Sequence, residues 1–291
     1  MSSWILFLVR AVAYPLSVVP YAWVLAIGDF LGILWFDVFR IRRVVACNNI
    51  HKAFPQLNDK ECRDLARKSC KNMGRGLMDY FVLLNIKSND FEKYFENEGL
   101  DKMKKYDNLG VLCVTLHLGS YDFATVGSAL RGLRLSVISK QFKLKWVNDL
   151  WFGLRKQVGA RFIREEGSTF EILKALKRRE KVVFVLDQFM GPPTGVKVNF
   201  FGLPTGADQG LALLALRSHC PIVPIYNFRR DDGKIVLVVE DAMTLNETGD
   251  RREDIKRITQ QLTDKIEEII RRHPEQWMWI HRRWKEFRDD G

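Results

Sequence analysis

Two short uncharged runs, Val111–Leu116 and Val182–Leu186, place the tightest limit on how this chain folds. Both are rich in β-branched residues and read as buried strands, the first opened by Gly110. Helical patterns cover Asn58–Leu84, Thr169–Leu176, Gln209–Ser218 and Asp254–Arg272, and a further helix is expected over Trp146–Val158. Additional strands are expected over Leu135–Ser139, Val196–Phe201, Ile222–Phe228 and Ile235–Val239, the last two joined at the turn Asp231-Asp232-Gly233. Strands alternating with helices specify an α/β domain. The two buried runs lead into His117 and into Asp187-Gln188, at strand ends where open α/β sheets build their sites.

His117 and Asp122 form the most informative pair. A helix is expected from Phe123 onward, so the pair sits where a strand hands over to a helix. On an ideal helix, residues five apart diverge by roughly 140° at about 100° per residue. A loop carrying Gly119 folds the two side chains back together. Asp122 then accepts from one imidazole nitrogen while the other faces a substrate, an arrangement suited to a general base near neutral pH. The plainer alternative makes Asp122 a partner for the amides of a helix start and His117 a satisfied core residue.

Composition narrows the partners. A formal charge of +11 points to nucleic acid, an anionic lipid surface or an acidic carrier protein. No helix-turn-helix, RRM or zinc module is recognisable, which argues against nucleic acid. Five cysteines, odd in number and without C-x-x-C spacing, argue against a disulfide framework or a structural zinc site, and the five histidines show no metal-ligand spacing. Residues 131–156 carry seven Lys or Arg against one acid, Asp149, with Trp146 and Trp151 interleaved. This is a solvated basic face or a docking patch for an acidic protein or a membrane.

Near the N-terminus, residues 11–28 hold 18 positions without a charge, at the lower end of a bilayer span. Pro15 and Pro20 would kink a helix there, and Arg40-Ile41-Arg42-Arg43 favours the cytoplasmic side for the chain that follows. The expectation is a membrane anchor over residues 1–39, a single span or a segment within one leaflet, followed by a catalytic domain over residues 40–291.

Several segments together resemble the late acyltransferases of lipid A biosynthesis, the lauroyl and myristoyl transferases within the lysophospholipid acyltransferase group. They are Arg43–Ile50 with Ala53-Phe54-Pro55, His117-x4-Asp122, Gly159–Arg164, Leu186-Asp187-Gln188, Phe200-Phe201-Gly202, Pro221–Pro224 and Trp277–Lys285. Their order spans nearly the whole chain. The resemblance implies a glycerol-3-phosphate acyltransferase-like fold, a central mixed sheet flanked by helices behind the N-terminal anchor. It implies O-acyl transfer at the cytoplasmic face of a bacterial inner membrane, from an acyl thioester to a hydroxyl of a lipid A precursor. Acyl carrier protein is the favoured donor, and neither metal nor cofactor is required.

By that resemblance His117 removes the hydroxyl proton and Asp122 holds the imidazole. Arg164 meets the acceptor phosphate or the oxyanion, and Asp187 with Gln188 shapes the substrate pocket, with Arg164 a possible partner of Asp187. No G-x-S-x-G elbow is present, so transfer is direct. Two departures keep another acceptor open: a lysophospholipid, glycolipid or aminolipid, with acyl-CoA as a possible donor. Asp122 stands where the lipid A branch usually carries glutamate, and residues 204–210 are more polar than the usual run.

Overall fold

The computed structural model describes residues 14–16, 18–83, 86–139, 161–164, 167–245 and 247–288. In chain order its strands are β1 (Phe95–Glu98), β2 (Val111–Thr115), β3 (Leu135–Ser139), β4 (Arg161–Arg164), β5 (Lys181–Val185), β6 (Gly195–Phe200), β7 (Leu203–Asp208), β8 (Ile222–Arg229) and β9 (Ile235–Val239). The α-helices are α1 (Tyr21–Ile33), α2 (Arg43–Ala53), α3 (Asp59–Leu83), α4 (Phe91–Tyr94), α5 (Tyr121–Leu130), α6 (Thr169–Lys177), α7 (Gly210–Ser218) and α8 (Arg251–Arg272). The helix expected over Trp146–Val158 lies outside the described residues, as does most of the basic stretch around it.

The uninterrupted apolar runs form the middle of the sheet. β2 is buried along its whole length and runs parallel to β5 on one side and β8 on the other. The seven strands lie in the order β1-β9-β8-β2-β5-β3-β4. Neighbours are parallel except β8 and β9, whose antiparallel pairing follows from their tight connection, where Gly233 takes a φ of 91°. This is the expected mixed sheet with helices packed against it, and most of its pairings are parallel. β6 and β7 form a separate antiparallel hairpin, tied to α8 where Gln260 bonds both backbone groups of Asn199.

Local chemistry sets the helix starts. Asn58 and Glu61 exchange side-chain-to-backbone hydrogen bonds at the head of α3, a reciprocal capping box. The Asp250 carboxylate accepts from the Arg252 and Glu253 amides at the head of α8.

α1 starts immediately after Pro20 and runs on through a π-helical turn, Leu34–Val38. The 18 residues from Tyr21 to Val38 are long and apolar enough to cross a membrane by length and composition. The helix is also packed onto the α/β body. Gly28 and Gly32 let its backbone approach α3, and a Cβ on Gly74 would stand 2.1 Å from the Gly28 carbonyl oxygen. Arg75 grips Asp29 through two hydrogen bonds of 2.6 and 2.7 Å. The opposite face of α1 presents Trp23, 69% exposed, and Phe30, 58% exposed. Contacts therefore cross the expected boundary after residue 39 along the full length of α1.

Candidate active site

β2 and β5 are adjacent and parallel, with Thr115 opposite Val185, so their C-terminal ends release the chain side by side. That register brings His117 and Asp187 together across 70 residues of sequence. The His117 Nδ1 lies 2.8 Å from Asp187 Oδ1. Asp187 Oδ2 accepts from the His117 backbone N–H at 3.0 Å and from the Trp277 indole N–H at 2.7 Å. The carboxylate is wholly buried, and its donors fill the lone pairs that burial would otherwise leave bare.

Electrostatics follow from this geometry. Burial works against an ionised Asp187, but the His117 charge and hydrogen bond, with His281 and the Trp277 indole, hold its carboxyl far below the usual range. Burial likewise works against a charged imidazole, yet Asp187 outweighs it and raises the His117 pKa above 6.5. With Nδ1 held by the carboxylate, Nε2 is the ring nitrogen left for a substrate. The His281 ring lies 5.3 Å from that of His117, and burial lowers its pKa.

A general base works only unprotonated, so activity must fall as pH drops through the raised His117 pKa. The acid limb of a kcat/KM profile is expected at higher pH than a free imidazole would give, and a profile flat through the imidazole range would detach His117 from the proton transfer.

Here the structure adds a second carboxylate to the one expected from sequence. The acceptor at Nδ1 is Asp187, the residue expected to shape the pocket, while Asp122, expected to hold the imidazole, occupies the first turn of α5. The parallel register alone places the Asp187 carboxylate beside the ring, because β2 and β5 end side by side. Asp122 stays at the site: it lines the same two cavities as His117, and burial pushes its carboxyl well above the usual range. Arg164 ends the edge strand β4 with its side chain exposed, and the described linings of both cavities are formed without it. The partners of Asp187 named above are His117 and Trp277, which fill the place expected for Arg164. Gln188, exposed, lines the larger cavity.

Those cavities meet at His117, Tyr121, Asp122 and Met278. The smaller, about 310 Å³, runs between α1 and α3 and is walled by Leu31, Trp35, Met73, Leu77 and Tyr80. The larger, about 750 Å³, passes Ile138, Phe184, Phe189 and Leu213 and carries the cations Arg217 and Arg251. A base at the junction of an apolar recess and a larger amphipathic one can serve two substrates at once. Among the described residues no group of three or more His, Cys, Asp or Glu is arranged for a metal ion.

Several further residues support the site, and the sequence alone assigns none of them these contacts. Trp277 and Trp279 are fully buried against Phe200, Phe54 and Phe201. The Met278 amide donates to the His117 carbonyl at 3.2 Å. Asn227 on β8 brackets the turn, its Oδ1 accepting from the Ser120 amide and its Nδ2 donating to the Leu118 carbonyl. Gly119 takes a φ of 59°, and a Cβ there would lie 2.5 Å from Asn227 Oδ1, which accounts for the glycine.

Comparison with known proteins adds an independent line. A family model for bacterial lipid A biosynthesis acyltransferases matches residues 1–286. The chain is 25% identical to the lipid A biosynthesis lauroyltransferase of Escherichia coli (strain K12), over 97% of this chain and 92% of the relative. It is 24% identical to the lipid A biosynthesis palmitoleoyltransferase of the same organism, covering 91% and 86%. A phosphatidylinositol mannoside acyltransferase of Mycobacterium tuberculosis (strain ATCC 25618 / H37Rv) is 25% identical, covering 74% and 69%.

Proposed function

Since the chain belongs to the bacterial lipid A biosynthesis acyltransferase family and is an acyltransferase acting on a lipid acceptor, we propose that it moves a fatty acyl chain from an acyl thioester to a hydroxyl of a lipid A precursor. Acyl carrier protein is the favoured donor, and the reaction runs at the cytoplasmic face of a bacterial inner membrane. The observation that carries this reading is a histidine, tautomer fixed by a buried carboxylate, at the junction of two cavities.

In the proposed reaction His117 Nε2 takes the acceptor's hydroxyl proton as the oxygen attacks the thioester carbonyl carbon. Asp187 holds the Nδ1–H and stabilises the imidazolium. The tetrahedral intermediate collapses with cleavage of the C–S bond, and the departing thiolate receives the proton from His117. Asp122 faces the same reacting space, and Gln188 borders the larger cavity. Arg164, on the exposed end of β4, meets the anionic acceptor outside the cavity. No enzyme-bound acyl group is needed.

The outward face of α1 supports the membrane setting. Trp23, Ile27 and Phe30 form an exposed apolar stripe that continues into Val38, Phe39 and Ile41. Replacing Trp23, Ile27 and Phe30 together by serine is expected to move much of the protein from the membrane to the soluble fraction. Full retention would assign the anchoring to other surfaces.

A second reading keeps the chemistry and changes the acceptor to a glycolipid, lysophospholipid or aminolipid, with acyl-CoA as a possible donor. Similarity to the phosphatidylinositol mannoside acyltransferase favours it. Mass spectrometry of membrane lipids, comparing cells with the wild-type chain, without it, and with His117→Ala, separates the two. A lipid A species lacking one acyl group in the last two samples supports the first reading; the loss on another lipid replaces it.

A further inference from the structure

Beneath the site lies a buried polar cluster that the reaction as drawn does not use. Asp79 of α3 and Arg229 of β8 form an ion pair, each side chain 1% exposed. Tyr21, the first residue of α1, donates its hydroxyl to Asp79 Oδ1 at 2.7 Å and accepts from Arg229 Nη1 at 2.6 Å. Ser120 donates its hydroxyl to Asp79 Oδ2. Arg229 Nη1 also donates to the Gly233 carbonyl at 2.9 Å, beside which Leu25 of α1 is packed.

Ser120 belongs to the turn between His117 and Asp122. The backbone of that turn is held from three sides. Asn227 takes the Ser120 amide and the Leu118 carbonyl, the Gln276 carbonyl accepts from the Gly119 amide at 3.2 Å, and Asn72 of α3 donates to the Gly119 carbonyl at 3.3 Å. The fourth support is the Ser120 hydroxyl, and its acceptor is the carboxylate that Tyr21 also uses. Two hydrogen bonds thus connect an N-terminal helix with an apolar outer face to the turn that carries the site.

We propose that α1 is a working part of the acyl-transfer site, with Tyr21 acting through Asp79 as a positioning residue for Ser120 and the His117–Asp122 turn. The same helix supplies Leu31 and Gly32 to the small cavity, so its docking completes one wall and one support of the site together. Catalytic competence is then tied to the seating of α1 on α3. An anchor that merely tethers a self-sufficient domain would carry neither feature. The catalytic half of this inference rests on the proposed acyl transfer; the mechanical half does not.

The test uses the full-length chain in detergent micelles, as wild type, Tyr21→Phe, Ser120→Ala and the double variant. Tyr21→Phe removes one hydroxyl and leaves the Asp79–Arg229 ion pair in place. Its kcat is expected to fall on the order of tenfold with the donor KM unchanged, since a small misplacement of catalytic groups costs rate more than binding. Amide hydrogen exchange over residues 118–121 is expected to accelerate about tenfold while β2 and β5 keep their protection. Because both hydroxyls act on one carboxylate, the double variant should lose little more than Ser120→Ala alone.

Unchanged exchange and unchanged kcat in Tyr21→Phe would overturn the proposal. Additive losses in the double variant, or protection lost uniformly across the sheet, would also overturn it by reducing Tyr21 to general stability. Exchange needs no substrate. If the wild-type chain transfers no acyl group yet residues 118–121 loosen in Tyr21→Phe, the acyl-transfer reading falls while the mechanical link stands.

Discussion

His117→Ala is expected to lower turnover by roughly 10²–10⁴-fold, the usual contribution of a general base, with the protein still folded. The second half of that expectation comes from the hydrogen bonds. Truncation removes the imidazole but leaves the backbone N–H of residue 117 on Asp187 Oδ2, and the Trp277 indole N–H stays on the same oxygen. The buried carboxylate keeps two donors, and the side chain lost is 24% exposed at the cavity junction rather than packed in the core. A melting temperature close to wild type with collapsed turnover assigns the loss to chemistry. Near-normal turnover would remove His117 from the mechanism and, with it, the reason for its position between two cavities.

The centre of the sheet was readable because its strands are unbroken apolar runs. β2, β5 and β9 hide both faces, and such runs announce themselves without help from neighbours. The edges were not readable. β1 is Phe-Glu-Asn-Glu, β4 is Arg-Phe-Ile-Arg, and β7 contains Pro204 and Gly206; each is a strand only because a partner pairs with it. The site divides in the same way. His117 and Asp187 each stood out at the end of an apolar run, but their pairing depends on β5 lying beside β2, a fact of topology. The role of Trp277 as a further donor to Asp187 has no local signal at all, since it requires the C-terminal segment to bridge to the turn after β2 at Leu118 and His117. Asp122, close in sequence, lines the same cavities as His117, while the acceptor at Nδ1 comes from 70 residues away. α1 shows the limit from the other side: its apolar composition was plain, while the glycines that seat it on α3 pass unnoticed in a hydrophobic stretch.

Asp187→Asn tests that pairing more sharply than any truncation. The substituted amide matches the carboxylate in size, and its single carbonyl oxygen can replace Oδ2 as acceptor for the residue 117 amide and the Trp277 indole. Its NH₂ group then stands where Oδ1 stands, 2.8 Å from Nδ1, and can only donate. Nδ1 must become an acceptor, so the imidazole proton moves to Nε2, the nitrogen that has to be bare to take the hydroxyl proton. Turnover at neutral pH is expected to fall by about 10²–10⁴-fold while the melting temperature holds near wild type. Losing the negative charge also removes what raises the His117 pKa, so any residual activity should show its acid limb at lower pH than wild type. Asp187→Ala would confuse the issue by leaving two buried N–H donors unpaired, at about 1–3 kcal/mol each. Nitrogen chemical shifts of His117 report the tautomer directly. A proton still on Nδ1 in Asp187→Asn, with turnover kept within a few-fold, would reduce Asp187 to scaffolding and return the imidazole to Asp122.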